Sequence, residues 1–321
     1  MKSKFISLLT AGMISLFFAA CSDDSSSGTV LEPIADDEEN VESSAAAEAE
    51  GEGSENEPNT SSTSTETSSA AGTNVAKTYK YYGAELTGKE HFTYGKFEAK
   101  MKMVAFPGTV SSMFTYYDPS YLLKEEPWNE IDIEVLGKNP EQWQSNLITR
   151  EPNATGSDNG KQYSEMLHKI DDVTKNFHVY TIIWTPEYIA WEIDGVEMRR
   201  NKVGDEHTTV HDQVAFMTET QSLRFNLWAA KDAGWVGKFT GEELADGPAV
   251  QEIDYVKVYS YDKDTKEFTE LWTDDFEGDA LDPKHWSKGD WEMERVMYRA
   301  QNVVVENGVC KLIMDREEVA E

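Results

Sequence analysis

The sequence predicts an all-β antiparallel sandwich or jelly roll, and three observations lead there. Apolar residues recur at every second position through many short stretches. Asp-Gly and Asn-Gly dipeptides separate pairs of those stretches, as hairpin turns do. No stretch of ten or more residues carries a 3.6-residue apolar period. The region concerned, 76–321, holds all nine Trp, and roughly 250 residues suffice for one sandwich domain with a full core.

The elements follow in chain order. Phe97, Ala99, Met101 and Met103 alternate with Lys96, Glu98, Lys100 and Lys102, giving a strand with one wet face. Phe114 and Tyr116 share a strand face, as do Gln144 and Asn146. Trp128 to Gly137 alternates acids with Ile131, Ile133 and Val135. Ile189 to Ile193 runs through Asp194-Gly195 into Val196 to Arg200, which reads as a hairpin on a type I′ turn. Arg224, Asn226 and Trp228 alternate with Leu223, Phe225 and Leu227, and Val256 and Val258 with Tyr255, Lys257 and Tyr259. A second hairpin turns at Asn307-Gly308 between Val303 to Val305 and Val309 to Met314. Only Gly241 to Ala245 hints at a helical turn, and no internal repeat is visible.

The first 75 residues read differently. Lys2 and Lys4 precede an apolar run, Ile6 to Ala20, that is short for a membrane span and suits a signal peptide. It ends in Phe18-Ala19-Ala20-Cys21, which resembles a bacterial lipobox, so 1–20 is expected to be removed and Cys21 lipidated. Residues 21–75 are rich in Ser, Thr, Ala, Gly and Glu, with no Lys or Arg and fourteen acidic residues. Such a stretch lacks the apolar surface to offset chain entropy and is expected to be a disordered, extended tether. The localisation that follows is the bacterial cell envelope, as an outer-membrane lipoprotein whose membrane contact is the lipid anchor alone.

Charge narrows the partners. Sixty acidic residues against 29 basic give −31, of which −19 remains on the region after the tether. That balance disfavours nucleic acid, whose backbone requires clustered Lys and Arg. Two Cys cannot build a disulfide framework or a four-thiolate zinc site, and Cys310 sits in a strand pattern as a buried apolar residue. The six His, including His168, His178 and His211, show no metal-ligand spacing and read as surface or core. A monomer is expected.

Glu130, Asp132 and Glu134 share one face of a strand, with isoleucines on the other. A solvated face in an acidic chain would also read this way. Against it, carboxylates at intervals of roughly 7 Å repel one another, and the β-branched positions between them mark a central, packed strand. Alternate positions on the other strands carry aromatics, amides and an Arg, as if facing one cleft. Aromatic faces stack on the C–H faces of sugar rings, and amides and carboxylates bond their hydroxyls, so a polysaccharide cleft fits this set. The outer two acids have α-carbons roughly 13 Å apart, from which carboxyl separations of about 5 Å or about 7–9 Å are both reachable, leaving retention and inversion open.

These residues also resemble a family. Trp128-Asn129-Glu130-Ile131-Asp132-Ile133-Glu134, with Leu136-Gly137-Lys138 after it, resembles glycoside hydrolase family 16. So do Tyr94 to Glu98, Gly108 to Phe114, Asn226-Leu227-Trp228 and Asp254 to Lys257, and the nearest likeness is to bacterial 1,3-1,4-β-glucanases (lichenases). Phe276 to Trp286 and Asn302 to Gly308 resemble segments that normally open the family's domain, so the order looks circularly permuted, as a sandwich with adjacent termini allows. The resemblance implies a concanavalin-like jelly roll of two curved sheets and an endo-acting, retaining β-glucanase. It makes Glu130 the nucleophile, Asp132 an assisting carboxylate and Glu134 the general acid/base, whose pKa must be raised, one means being the neighbouring anionic pair.

It further implies cleft residues at Glu85, Phe114, Tyr116, Trp128, Gln144, Asn146, Arg224, Asn226, Trp228, Trp235 and Trp291, whereas Trp184 and Trp191 read as core. No cofactor is expected for catalysis, and a structural calcium at Asp254, Asp275 and Gly308 is implied. Two stretches depart from the pattern: Glu292 to Val296 is about two residues short, and Asn153 to Asp172 aligns with nothing. A β-1,3-glucanase, a xyloglucan-active hydrolase or transglycosylase, and a non-catalytic glycan-binding module remain alternatives.

Overall fold

The computed structural model describes residues 77–319, except 123, 172 and 206–209. Cys21, the signal segment 1–20 and the tether 21–75 lie outside the described residues.

In chain order the strands are β1 (Tyr79–Phe92), β2 (Gly95–Lys102), β3 (Thr109–Tyr116), β4 (Trp128–Leu136) and β5 (Gln142–Arg150). Two short edge strands follow, β6 (Gln162–Tyr163) and β7 (Met166–Lys169). Next come β8 (His178–Trp184), β9 (Tyr188–Ile193), β10 (Val196–Lys202), β11 (Gln221–Ala229) and β12 (Ala249–Tyr261). The rest are β13 (Phe268–Asp274), β14 (Trp286–Lys288), β15 (Glu292–Met293), β16 (Val296–Tyr298), β17 (Val303–Glu306) and β18 (Val309–Glu318).

Their pairing makes two antiparallel layers. One runs β14–β1–β11–β3–β4–β5, with β6 and β7 along the outer edge of β5. The other runs β10–β9–β8–β2–β12, and the far side of β12 is shared by β18 and β13, with β17 beyond β18. Ile131, Ile133 and Val135 of β4 and Leu223, Phe225 and Leu227 of β11 join one core with Phe97, Ala99 and Met101 of β2 and Ile182 of β8. Each is fully or almost fully buried, and burial of a large aliphatic or aromatic side chain contributes about 1.5–3 kcal/mol. Trp184, Trp191 and Cys310 belong to this core, and burial pushes the Cys310 thiol up, which keeps it inert.

Turn chemistry accounts for the connections. Asp194-Gly195 and Asn307-Gly308 both take positive φ at both residues, as type I′ hairpins require. Among the described residues helix is confined to short turns: α1 (Pro119–Leu122), α2 (Gln213–Phe216), α3 (Ala233–Val236) and 3-10 turns at Ser157–Gly160, Ala300–Asn302 and Glu242–Leu244, the last where the sequence hinted at one. Directly after β4, Gly137 lets the chain pass the Phe106 carbonyl, which any Cβ would strike.

The ends of the described chain adjoin. Tyr79 pairs with Glu318, and the Val319 amide donates to the Thr78 carbonyl at 2.8 Å, the proximity that a permuted strand order needs.

Candidate active site

Register places the polar and aromatic positions in rows on the first layer. Tyr116 lies opposite Glu130, Phe114 opposite Asp132 and Ser112 opposite Glu134. On the other side of β4, Asn146 faces Asp132 and Gln144 faces Glu134. Across β3, Arg224 lies beside Phe114 and Asn226 beside Ser112, and Glu85 of β1 continues the row past Asn226. Because the side-chain period is two, all of these project from the face opposite Ile131 and Ile133.

They surround a cleft of about 570 Å³. Glu130, Asp132 and Glu134 line it, together with Glu85, Phe114, Tyr116, Trp128, Arg224, Asn226, Trp228 and Trp291. Trp291 is 42% exposed at the rim, where a flat apolar face suits a ligand better than a core. Gln144, Asn146 and Trp235 do not line the cleft. Gln144 Oε1 accepts from the Trp235 indole at 3.4 Å, and Asn146 Oδ1 accepts from the Ser164 amide at 3.1 Å. Both amides are buried beside the carboxylate row, Gln144 next to Glu134 and Asn146 next to Asp132.

The three acids differ in surroundings. The Trp128 indole N–H donates to Glu130 Oε2 at 2.6 Å. Burial raises the Glu130 carboxyl, while the Lys161 ammonium, that indole and Arg224 pull it back toward the anion. Asp132 is held well above the usual carboxylate range by burial first, then by Glu130 and Glu134 on either side, and its Oδ2 has no hydrogen-bond partner among the described residues. Glu134 is pushed up to about 8, by burial first and then by Glu130 and Glu165. Among the described residues no cation opposes that rise. The strand therefore offers at one end a carboxyl whose rise is partly offset by cations and an indole donor, and at the other one whose rise no described cation offsets.

Arg224 organises the side of the cleft nearest β1. It donates to Glu85 at 2.8 Å, to Asp118 at 2.6 Å and to the Ser222 hydroxyl at 3.0 Å. Burial raises the Glu85 carboxyl and the guanidinium counters it. Ser112 donates to Asn226 Oδ1 at 2.6 Å, fixing that amide.

Sequence reasoning missed Ser112, Asp118 and Tyr121 on the cleft wall, whereas Glu292 and Met293 lie in the short loop it singled out. Ser112 was findable, because it shares the alternation of Phe114 and Tyr116. Asp118 and Tyr121 leave β3 through α1, where no period applies. Lys161 and Glu165 act on the acids from 153–172, the stretch without a pattern.

The calcium positions do not come together as side-chain ligands. Lys100 holds the Asp254 carboxylate at 2.6 Å, and Asp275 accepts from the Glu277 amide at 3.3 Å. Among the described residues no group of three His, Cys, Asp or Glu side chains could hold a metal ion. The implied site takes one Asp and otherwise backbone oxygens, and here the Asp254 carboxylate is paired with Lys100.

Comparison with known proteins bears on this cleft. Residues 54–257 match the model for glycosyl hydrolases family 16. A beta-glucanase of Fibrobacter succinogenes is 41% identical over 256 residues, covering 78% of this chain and 68% of that protein. One from Acetivibrio thermocellus is 33% identical over 184 residues, covering 57% of this chain and 47% of its own length. The chain thus spans about two thirds of the first relative and about half of the second. Among solved structures, a Bacillus licheniformis beta-glucanase aligns at 29% identity and a TM-score of 0.37, over 48% of this chain and 62% of that one.

Proposed function

The chain belongs to glycosyl hydrolase family 16, and we propose that its cleft cuts internal β-1,4 bonds of mixed-linkage 1,3-1,4-β-glucan with retention of configuration. One observation carries the proposal: a single strand face presents Glu130, held by the Trp128 indole, and a proton-holding Glu134 on the floor of an aromatic cleft. The named beta-glucanase relatives support the glucan; the Glu-x-Asp-x-Glu spacing resembles lichenases and xyloglucan-active members more than laminarinases, and the wider likeness to lichenases supports the mixed linkage.

The roles follow from the charges. Glu130 attacks the anomeric carbon as the glycosidic C–O bond breaks, and the Glu134 proton passes to the departing oxygen. Glu134, now ionised, takes a proton from water, whose oxygen displaces Glu130 and restores both groups. Asp132, its carboxyl held well above the usual range by burial and its neighbours, sits between the two. Trp228 and Trp291 supply ring faces for the sugar chain, and Arg224, Glu85 and Asn226 supply hydrogen-bonding groups. A neutral glucan makes no demand on net charge.

A panel of lichenan, laminarin, xyloglucan, cellulose and agarose tests the linkage. Rapid loss of viscosity and short oligosaccharides from lichenan are expected; cleavage of laminarin with lichenan untouched would refute the mixed-linkage reading while leaving the family intact.

The envelope location belongs to the same proposal and rests on the Ala19-Ala20-Cys21 motif ahead of an acidic tether. Labelling with radioactive palmitate is expected for the full chain and absent from Cys21→Ala; label that persists in the variant contradicts it.

A further inference from the structure

Resting on the roles proposed for Glu130 and Glu134, we infer that Lys161 is a positioning residue: seated on the face of Trp128, it fixes the indole that holds Glu130 and presents a positive charge to that carboxylate from the outer edge of the sheet. The Lys161 ammonium lies 3.7 Å from the centre of the Trp128 ring, and the same indole donates to Glu130 at 2.6 Å. A cation over an indole face is attracted by the ring quadrupole and restricts how the ring can turn. The contact therefore acts on the direction of the Trp128 N–H as well as on the local field.

The segment that delivers Lys161 is anchored rather than draped. The Lys161 amide donates to the Asp158 carbonyl at 3.2 Å, and Gln162 pairs with Thr149 at the edge of β5. Buried Gln213 donates to the Gln162 carbonyl at 3.1 Å. Two residues further on, buried Arg199 donates to the Ser164 carbonyl at 2.7 Å and to the Ser164 hydroxyl at 2.5 Å, and to Ser145 of β5 at 3.0 Å. Arg199 has no carboxylate partner among these contacts; its donors hold the edge segment against the sheet.

Lys161 also differs from the other cations near Glu130. From β11, Arg224 is engaged by Glu85 and Asp118. From β5, Arg150 lies over Trp128 at 5.3 Å and donates to the Ser120 and Glu126 carbonyls. Tyr116 of β3, Glu85 of β1, and Asp132 and Glu134 of β4 complete the titratable groups around the carboxylate. Lys161 makes no ion pair among the described residues, and of the influences favouring the Glu130 anion it is the largest, ahead of Trp128 and Arg224.

The test compares full-length Lys161→Met, Lys161→Gln and Lys161→Arg with wild type, each checked by near-ultraviolet circular dichroism. Carbon-13 NMR follows the Glu130 side-chain carboxyl, assigned through Glu130→Gln, across a pH titration. In either neutral variant the Glu130 midpoint is expected to rise, and in Lys161→Arg to return toward wild type. The acidic limb of kcat/KM on lichenan should move the same way, a half-unit displacement lowering the rate on that limb by up to roughly threefold relative to wild type. A folded neutral variant with an unmoved Glu130 midpoint overturns the inference. Because the titration needs no turnover, it separates this outcome from failure of the glucanase reading, which would show itself as a wild-type protein inactive on every polysaccharide.

Discussion

Glu130→Gln is expected to leave less than about one part in 10⁴ of wild-type turnover, because it removes the group that forms the covalent bond and no other carboxylate can take its place. Asp132 is the nearest substitute, and burial and its neighbours hold its carboxyl well above the usual carboxylate range, which disfavours the anion that attack requires. Its backbone is fixed as well, since the Trp191 indole donates to the Asp132 carbonyl at 3.0 Å from within the core. The introduced amide oxygen would still accept from the Trp128 indole, so the cleft wall is preserved. Steady-state assays on lichenan check the loss, and unchanged urea unfolding shows that the fold survives; near-normal turnover would remove Glu130 from the mechanism.

Glu134→Gln is the second large effect. Loss of the proton donor is expected to reduce kcat on a polysaccharide by about 10²–10⁴-fold, with a smaller loss on an aryl glycoside whose leaving group needs no proton. The variant also separates function from stability. Glu134 titrates near 8 in the folded protein, against an ordinary value of 4.5 once unfolded. Over that window the folded state binds the extra proton, so stability falls as pH rises from 4.5 through about 8. The substituted amide cannot ionise. The variant's Tm is therefore expected to exceed wild type at pH 8, with the difference closing near pH 5, as thermal scans at the two pH values will show. The same ionisation gives wild type an alkaline limb: activity is lost as pH passes about 8 and Glu134 surrenders its proton.

Much of this was legible in the chain because the relevant signals are local. A period of two exposed β4 and put Glu130, Asp132 and Glu134 on one face, and Asp194-Gly195 and Asn307-Gly308 announced their hairpins. Which residue faces which across neighbouring strands is a non-local matter. The row from Glu85 through Asn226 and Ser112 to Glu134 joins strands far apart in the sequence and is fixed by register alone.

Irregular connections were opaque for a different reason. Lys161 and Asp118 reach the cleft from turns, where side-chain direction follows no period. Gln144 and Asn146 share a face with the cleft residues, and their amides are engaged by Trp235 and Ser164, partners that no alternation pattern reveals. The sequence suggests neighbouring anions as a means of raising the Glu134 pKa, whereas burial is the larger cause, and burial is a property of the assembled sheets.

The configuration of the first-formed product tests the central claim most directly. Proton NMR of lichenan hydrolysis in the opening minutes, before mutarotation, distinguishes the two anomers at the new reducing end. The pairing of Glu130 as nucleophile with Glu134 as acid/base predicts that the β-anomer accumulates first and the α-anomer follows by mutarotation. Initial release of the α-anomer would contradict a glycosyl-enzyme on Glu130.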